Sequence, residues 1–311
     1  MKKWLWSAVM VLLCQSAVYA GPLKYDEAKF SDTEKIARKI AKANVKILKS
    51  KNIKKLVILE CYGEFVTSKE VSAGAFASRA AARSAANQGR QFYTTTTKTS
   101  TLDLDKDYYT NTVNRVYDIV TEIFKDNGIE IISTEEVGQN ELYQTFNLAE
   151  EKAGRGVKSG MMSDTVVTKT QKVSATGLGL FPGPLGMIKV AMNVAEITHE
   201  LGADGFLQIN FRVDKGSGGT PILQSFNVLL SADIRGQEVG FKGNKKMRYD
   251  LYTQWLPILE MPLPIMNIAD IAGPEKGSID MSAYDKALMD VINSVGAAYK
   301  YSIANVLAQK K

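Results

Sequence analysis

Histidine is almost missing from this chain: His199 is the single one among 311 residues. A histidine-based triad needs a nucleophile presented beside the imidazole, and no Gly-x-Ser-x-Gly turn offers one. Transition-metal sites recruit several histidine or cysteine ligands, which this composition cannot supply. His199 falls near the expected C-terminus of a helix, where it reads as a dipole-compensating or packing residue rather than a ligand or base. Cysteine is nearly as scarce. Cys14 lies in an N-terminal apolar run, so once that run is removed Cys61 has no partner for an internal disulfide, and a packed core must carry stability. On a strand, Cys61 reads as a small buried hydrophobe. Beyond the first twenty residues no stretch has the length and apolar continuity of a membrane span. There is no internal repeat and no flexible linker that would divide the chain.

Three imitations of sites fail on spacing. Gly177-Leu178-Gly179 precedes a helix, but the third glycine of a dinucleotide fingerprint would fall at Gly183, and Pro182 and Pro184 lack the backbone donors a phosphate needs. Asp103, Asp105 and Asp107 alternate like a calcium loop, yet Tyr108 occupies the turn-glycine position and Asn114 that of the closing acid. A strand end followed by a helix cap explains them better. Glu60 and Glu64 share a strand face about 13 Å apart, too far for either glycosidase geometry. No catalytic, cofactor-binding or metal-binding residue is therefore predicted.

What is present begins with an address. Lys2 and Lys3 precede an apolar run from Trp4 to Cys14, and Val18-Tyr19-Ala20 supplies small residues at the cleavage positions. This is the pattern of a signal peptide over residues 1–20, cut after Ala20, with a mature protein beginning at Gly21 in the periplasm or outside the cell. The competing reading is lipoprotein processing at Cys14, for which the bulky Leu13 is an unsuitable preceding residue.

The formal charge is +6, and about +4 without Lys2 and Lys3. The excess is local: from Lys35 to Lys55 there are nine basic residues and no acid. Ser31 with Glu34 makes a capping-box pattern, and Ile36, Ile40, Ala43, Ile47 and Leu48 recur at helical spacing, so an amphipathic basic helix is expected within residues 21–55. Its lysines read either as a solvated face or, through Lys35, Lys39, Lys42 and Lys46, as a contact for an anionic membrane surface. Nucleic acid is not expected, because no aromatics alternate with the lysines.

Residues 56–311 read as a single α/β domain. Leu56–Leu59 starts a strand that continues towards Val66. An insertion follows at about 72–105: an alanine-, serine- and arginine-rich stretch over 72–91, then a threonine-rich strand from Phe92 to Leu104. Asp107 is expected to cap a helix whose stripe is Val113, Val116, Tyr117, Val120, Ile123 and Phe124, stopped at Asn127-Gly128. Then come a strand over Ile129–Ser133, a helix from about Glu135 to Lys152, a loop over Arg155–Gly160 and a strand over Thr165–Ser174. After an apolar turn region from Gly177 to Gly186, a helix is expected over Met187–Leu201. A hairpin pairs Phe206–Val213 with Ile222–Asp233, the latter facing the core with Ile222, Phe226, Val228, Leu230 and Ala232. A strand over Tyr249–Trp255, a proline-rich strap at about 257–277 and a helix over Met281–Gln309 complete the chain, with Gly296 allowing close approach to the sheet. This order specifies an α/β (α+β) layer sandwich, a mixed sheet flanked by helices with a long C-terminal helix. Candidate partner contacts are Arg79, Arg83 and Arg90 in the insertion, and Leu178, Leu180, Phe181 and Leu185 in the apolar turn.

The strand at Leu56–Glu60, the helix–strand pair Val113–Ser133 and the helix ending in Gly202-Ala203-Asp204 before a strand and hairpin resemble the periplasmic domain shared by curli secretion lipoproteins (CsgG-like) and activators of penicillin-binding proteins (LpoB-like). The resemblance spans about Lys54 to Arg235. It implies a non-enzymatic α/β domain that binds an envelope protein or assembles with itself, with no cofactor. This chain departs from the pattern at Leu13-Cys14. Its strands Phe92–Leu104 and Thr165–Ser174 also lack the alternating apolar face of a lipid-exposed barrel. Three functions stand at this point: an exported non-catalytic envelope protein that binds a partner or itself; a periplasmic enzyme or small-ligand binder with carboxylates such as Glu60, Glu64 or Asp204; and an outer-membrane secretion or pore subunit.

Overall fold

The computed structural model describes residues 22–75, 94–102, 104–159, 165–182, 193–232, 256–275 and 278–308. The leader with Cys14 and Ala20, the arginines Arg79, Arg83 and Arg90, Leu185 and the expected strand over Tyr249–Trp255 lie outside the described residues.

Among the described residues eleven strands form one mixed sheet. In chain order the elements are β1 Leu23–Lys24, α1 Glu27–Phe30, α2 Thr33–Ile40, β2 Lys42–Ala43, α3 Lys46–Ser50, β3 Lys55–Ala75, β4 Thr94–Thr101, α4 Lys106–Asp126 and β5 Glu130–Ile132. There follow α5 Thr134–Gln139, α6 Glu141–Gln144, β6 Glu151–Ser159, β7 Thr165–Ser174, a helix α7 whose described turns cover 193–200, β8 Gly205–Lys215, β9 Pro221–Ala232, β10 Leu256–Glu260, β11 Ile265–Met266 and α8 Met281–Ala308. β3 runs parallel to β5 and β8, while β8–β9, β3–β7, β3–β4 and β6–β7 are antiparallel. The mixed sheet with flanking helices and a long C-terminal helix is the expected class.

The strongest sequence patterns reappear as packed faces. α4 buries Val113, Val116, Val120, Ile123 and Phe124, and α8 buries Tyr284, Leu288, Val291, Ile292, Val295, Tyr299 and Ile303. Each such side chain contributes roughly 1.5–3 kcal/mol on leaving water, so these two helices anchor one layer on the sheet. Leu56–Leu59 is buried throughout, as a central strand covered on both faces must be. Cys61 is buried and free, and burial pushes its thiol pKa up.

Several expectations are corrected. The basic N-terminal helix is broken: the chain extends at Ala41 (φ −120°, ψ 112°), and Lys42–Ala43 pairs with β10 before α3 begins. Backbone pairing with Leu259 and Glu260 outweighs continued helical periodicity there. Asp32, not Ser31, caps α2, accepting from the N–H of Lys35. Asp105, not Asp107, caps α4, accepting from the N–H of Asp107 at 2.6 Å. The stretch expected as one helix to Lys152 breaks at Asn140, whose own side chain caps α6, and the segment expected as a loop at Arg155 is part of β6. On β9 the register shifts between the partners of Arg212 and Val213, inserting Gln224 as a bulge. The extra residue exchanges the faces below it, so Leu223 is buried where Ile222 was expected. The proline-rich strap supplies two strands of its own: β10 accommodates Pro257 beside a bulge at its own Ile258, opposite β9, and pairs with β2 on its other edge. Gly296 meets α4 rather than the sheet, since a Cβ there would stand 2.7 Å from Ile119 Cγ2.

Candidate interaction surface

β3 is 21 residues long, and its two halves do different things. Its start pairs with β5 and β8, and Tyr62–Phe65 lies between β8 and β7; at Thr67 the register with β7 slips by one residue. Beyond that bulge β8 is replaced by β4, which pairs with Ser68–Ala75. The result is a four-stranded antiparallel ribbon, ordered β4-β3-β7-β6, that continues the sheet. Apart from Lys98 and Ser100, β4 consists of threonine, and β-branched side chains favour this pleated geometry without needing a core. The stretch expected as an insertion thus contributes both arms of a hairpin, at 72–75 and 94–101.

Both outer strands of the ribbon are edges: β4 pairs only with β3, and β6 only with β7, among the described residues. Their phase follows from single hydrogen bonds. Leu102 N–H donates to Thr67 O, so every second residue back along β4 faces β3, and Thr95, Thr97, Thr99 and Thr101 turn their backbone groups outward. Lys215 confirms this, since its Nζ donates to the outward carbonyl of Thr101. On the other side Ser174 N–H donates to Glu150 O, which leaves Glu151, Ala153, Arg155, Val157 and Ser159 with outward backbone groups on β6. β4 runs opposite to β3, β7 opposite to β3, and β6 opposite to β7, so the two open edges have opposite chain direction.

At the foot of the β4 edge lies a groove of about 1070 Å³, walled by Thr99 and Thr101, by the β8–β9 turn with Lys215, and by Ile268–Glu275 of the strap with Ser278 and Ile279. Ile268 is 57% exposed there. Burial lowers the pKa of Lys215.

The described part of the apolar turn, up to Pro182, is not an exposed apolar surface. Leu178 and Leu180 are buried, Phe181 is half-buried, and the loop is pinned from below. Tyr143 Oη accepts from Gly179 N–H at 3.1 Å and donates to Leu59 O at 3.0 Å; Glu60 Oε1 accepts from Phe181 N–H at 2.6 Å. Gly179 is needed for this approach, because a Cβ would stand 2.2 Å from Leu148 Cβ. Apolar residues beside glycine and proline signalled exposure in the sequence, but the loop is instead a plug over the sheet.

The candidate carboxylates do not converge on a pocket. Glu60 is 3% exposed; its Oε2 accepts from Gln208 Nε2, and burial pushes its pKa up to about 6. Glu64, four residues further along β3, bridges Arg212 at 3.1 Å and Lys172 at 3.7 Å. Asp204 sits at the other end of β3, roughly 16 Å from Glu60 by strand rise, and accepts from the N–H groups of Lys54 and Lys55 at 2.7 and 2.9 Å. Each carboxylate is engaged by groups of the fold itself. Of the four lysines singled out for a membrane surface, Lys42 bridges Glu260 at 3.4 Å, whereas Lys35, Lys39 and Lys46 are exposed and make no ion pair among the described residues. His199 is exposed at the end of α7. Among the described residues no cluster of three metal-ligating side chains occurs, and no helix is long and apolar enough to cross a membrane. No family model, curated protein or solved structure matches this chain.

Proposed function

We propose that this protein is an exported, non-catalytic envelope component that assembles with copies of itself, edge to edge, through the ribbon. The observation that carries the reading is the pair of open edges of opposite direction on one four-stranded antiparallel unit. β6 of one copy lies antiparallel to β4 of a second copy placed beside it in the same orientation, so strand alternation is preserved at every junction. An edge strand of eight or nine residues is a template for strand addition, and proteins that stay monomeric blunt such edges with proline, charged side chains, bulges or a covering loop. β4 carries one charge, Lys98, and β6 carries both signs, with Glu151 beside Lys152 and Arg155. Neither strand contains proline. A contact between two different patches is head-to-tail and generates a closed ring or an open filament. The domain resemblance drawn from the sequence points the same way, and the leader pattern supplies the compartment.

Sedimentation velocity and native mass spectrometry of the chain starting at Gly21 test the reading. A series of oligomers growing with protein concentration is expected. A species that remains monomeric over a thousandfold concentration range removes the basis for self-assembly and leaves the edges to a different protein.

A further inference from the structure

The two edges of the ribbon match in phase and differ in charge. On β4, Thr99 and Thr101 carry outward backbone groups and both wall the strap groove, so the groove lies on the face of the ribbon to which they belong. In an antiparallel pair, residues directly opposite one another share a face, and outward backbone groups bond only to outward ones. The β6 of a second copy therefore brings Glu151, Ala153 and Arg155 to the groove side in every register it can take. Glu151 is already engaged by Lys106 at 3.3 Å and by Gln171 at 3.0 Å, and Ala153 is neutral. Arg155 is exposed and makes no ion pair among the described residues. The groove offers what a guanidinium on a long apolar stem requires. Asp270 and Glu275 are exposed in its wall and make no ion pair among the described residues. Asp270 is held in place at Oδ1, which accepts from Ala272 N–H at 3.0 Å, and Ile268 in the same wall is 57% exposed. Lys215 is the one cation among the described wall residues, and its Nζ is committed to Thr101 O. Two carboxylates thus stand against one engaged ammonium.

We propose that the strap groove is the socket for Arg155 of a second copy of this chain, its guanidinium set against Asp270 and Glu275 and its stem along Ile268. The socket rests on the edge-to-edge assembly proposed above and adds the register of that assembly. Backbone phase alone permits registers in steps of two residues, and a strand made almost wholly of threonine discriminates poorly among them. Registers with Arg155 opposite Thr99 or Thr101 set the guanidinium beside the two carboxylates; the others leave both signs unpaired. One of the favoured registers is the unstaggered repeat, because Thr101, Ser68, Lys169 and Arg155 form one row across a single ribbon. Opposite charges facing across an interface fix register and exclude wrong pairings more than they add affinity.

Sedimentation velocity of the chain starting at Gly21 reads the effect as a change in Kd. Arg155→Glu is expected to weaken assembly about 10-fold, and Asp270→Arg together with Glu275→Arg by a similar factor. The chain carrying all three changes is expected to return to within about threefold of the wild type. All three side chains are exposed, and circular dichroism checks that the fold is kept. A cysteine pair gives a second readout: Arg155→Cys with Asp270→Cys should form an intermolecular disulfide when an oxidant is added, and neither single variant should, since Cys61 is buried. Three results would each overturn the socket while leaving edge pairing in place: an Arg155→Glu chain that assembles as well as the wild type, a triple variant that stays as weak as its parents, or no disulfide in the double-cysteine chain. A wild type that remains monomeric overturns both.

Discussion

Replacing Thr97 by proline should separate folding from assembly. Thr97 turns its N–H away from β3, whereas its neighbour Lys98 pairs with Val71. Proline at 97 thus removes no ladder bond within the molecule and is tolerated on an edge strand. In an assembled pair it deletes one donor, leaves the facing carbonyl unpaired for about 1–3 kcal/mol, and its ring holds the flanking bonds apart. The sum is roughly 3 kcal/mol, or more than 100-fold in Kd. On β6 the equivalent change is Ala153→Pro, at another outward position. Sedimentation velocity should find each variant monomeric where the wild type assembles, with unchanged far-ultraviolet circular dichroism. Mixed in equal amounts they should form a one-to-one complex and stop, because the intact β6 of one meets the intact β4 of the other. Lys98→Pro should instead destabilise the hairpin itself. A Thr97→Pro chain that assembles as well as the wild type, or either variant dimerising alone, would refute head-to-tail edge pairing.

Four further outcomes are expected. Gly179→Ala should cost about 1–3 kcal/mol in urea denaturation, since the added methyl meets Leu148 at the base of the loop. Tyr299→Phe should cost about 1 kcal/mol and no more, because Phe226 O, which accepts from Tyr299 Oη at 2.5 Å, keeps a second donor in Met261 N–H at 3.1 Å. Asp204→Ala should cost about 1–2 kcal/mol by freeing two N–H groups at the start of β3, whereas Asp204→Asn should retain much of that, both by thermal melting. The Glu60 contribution to stability, up to about 2 kcal/mol, should be present below pH 4.5 and lost by pH 7, read as the pH-dependent part of the difference between wild type and Glu60→Gln in urea titrations at fixed ionic strength.

Much of the candidate surface was hidden from one-dimensional reading for identifiable reasons. The helix over Glu135–Lys152 failed because Asn140 and Asn147 act locally: one caps a new turn, and the other adopts φ 49° before β6. The expected loop at Arg155 carries Gly154 and Gly156, which read as breakers. In the sheet they make room for Thr170 and Thr168, whose Oγ1 atoms would stand 2.5 and 2.8 Å from added Cβ atoms. Glu60 looked like a possible acid beside Glu64, yet the bonds that bury it come from β8 and from a loop more than a hundred residues away. A polar residue within an unbroken apolar run, as at Leu56–Cys61, was the signal available.

By itself the amino-acid order determined which segments could bury a continuous face: the stripes of α4 and α8, the apolar start of β3 and the β8–β9 hairpin. Periodicity and burial are local properties of a chain, and the apolar area involved is large enough to overrule most competing arrangements. Only the tertiary structure decided that β4, β7 and β6 lengthen the sheet into a ribbon whose two outer strands are edges among the described residues, that Leu178 and Leu180 of the apolar turn are buried, and where β9 changes face. Those outcomes depend on register between distant strands, and hydrogen bonds that pair backbone with backbone leave no imprint on side-chain order.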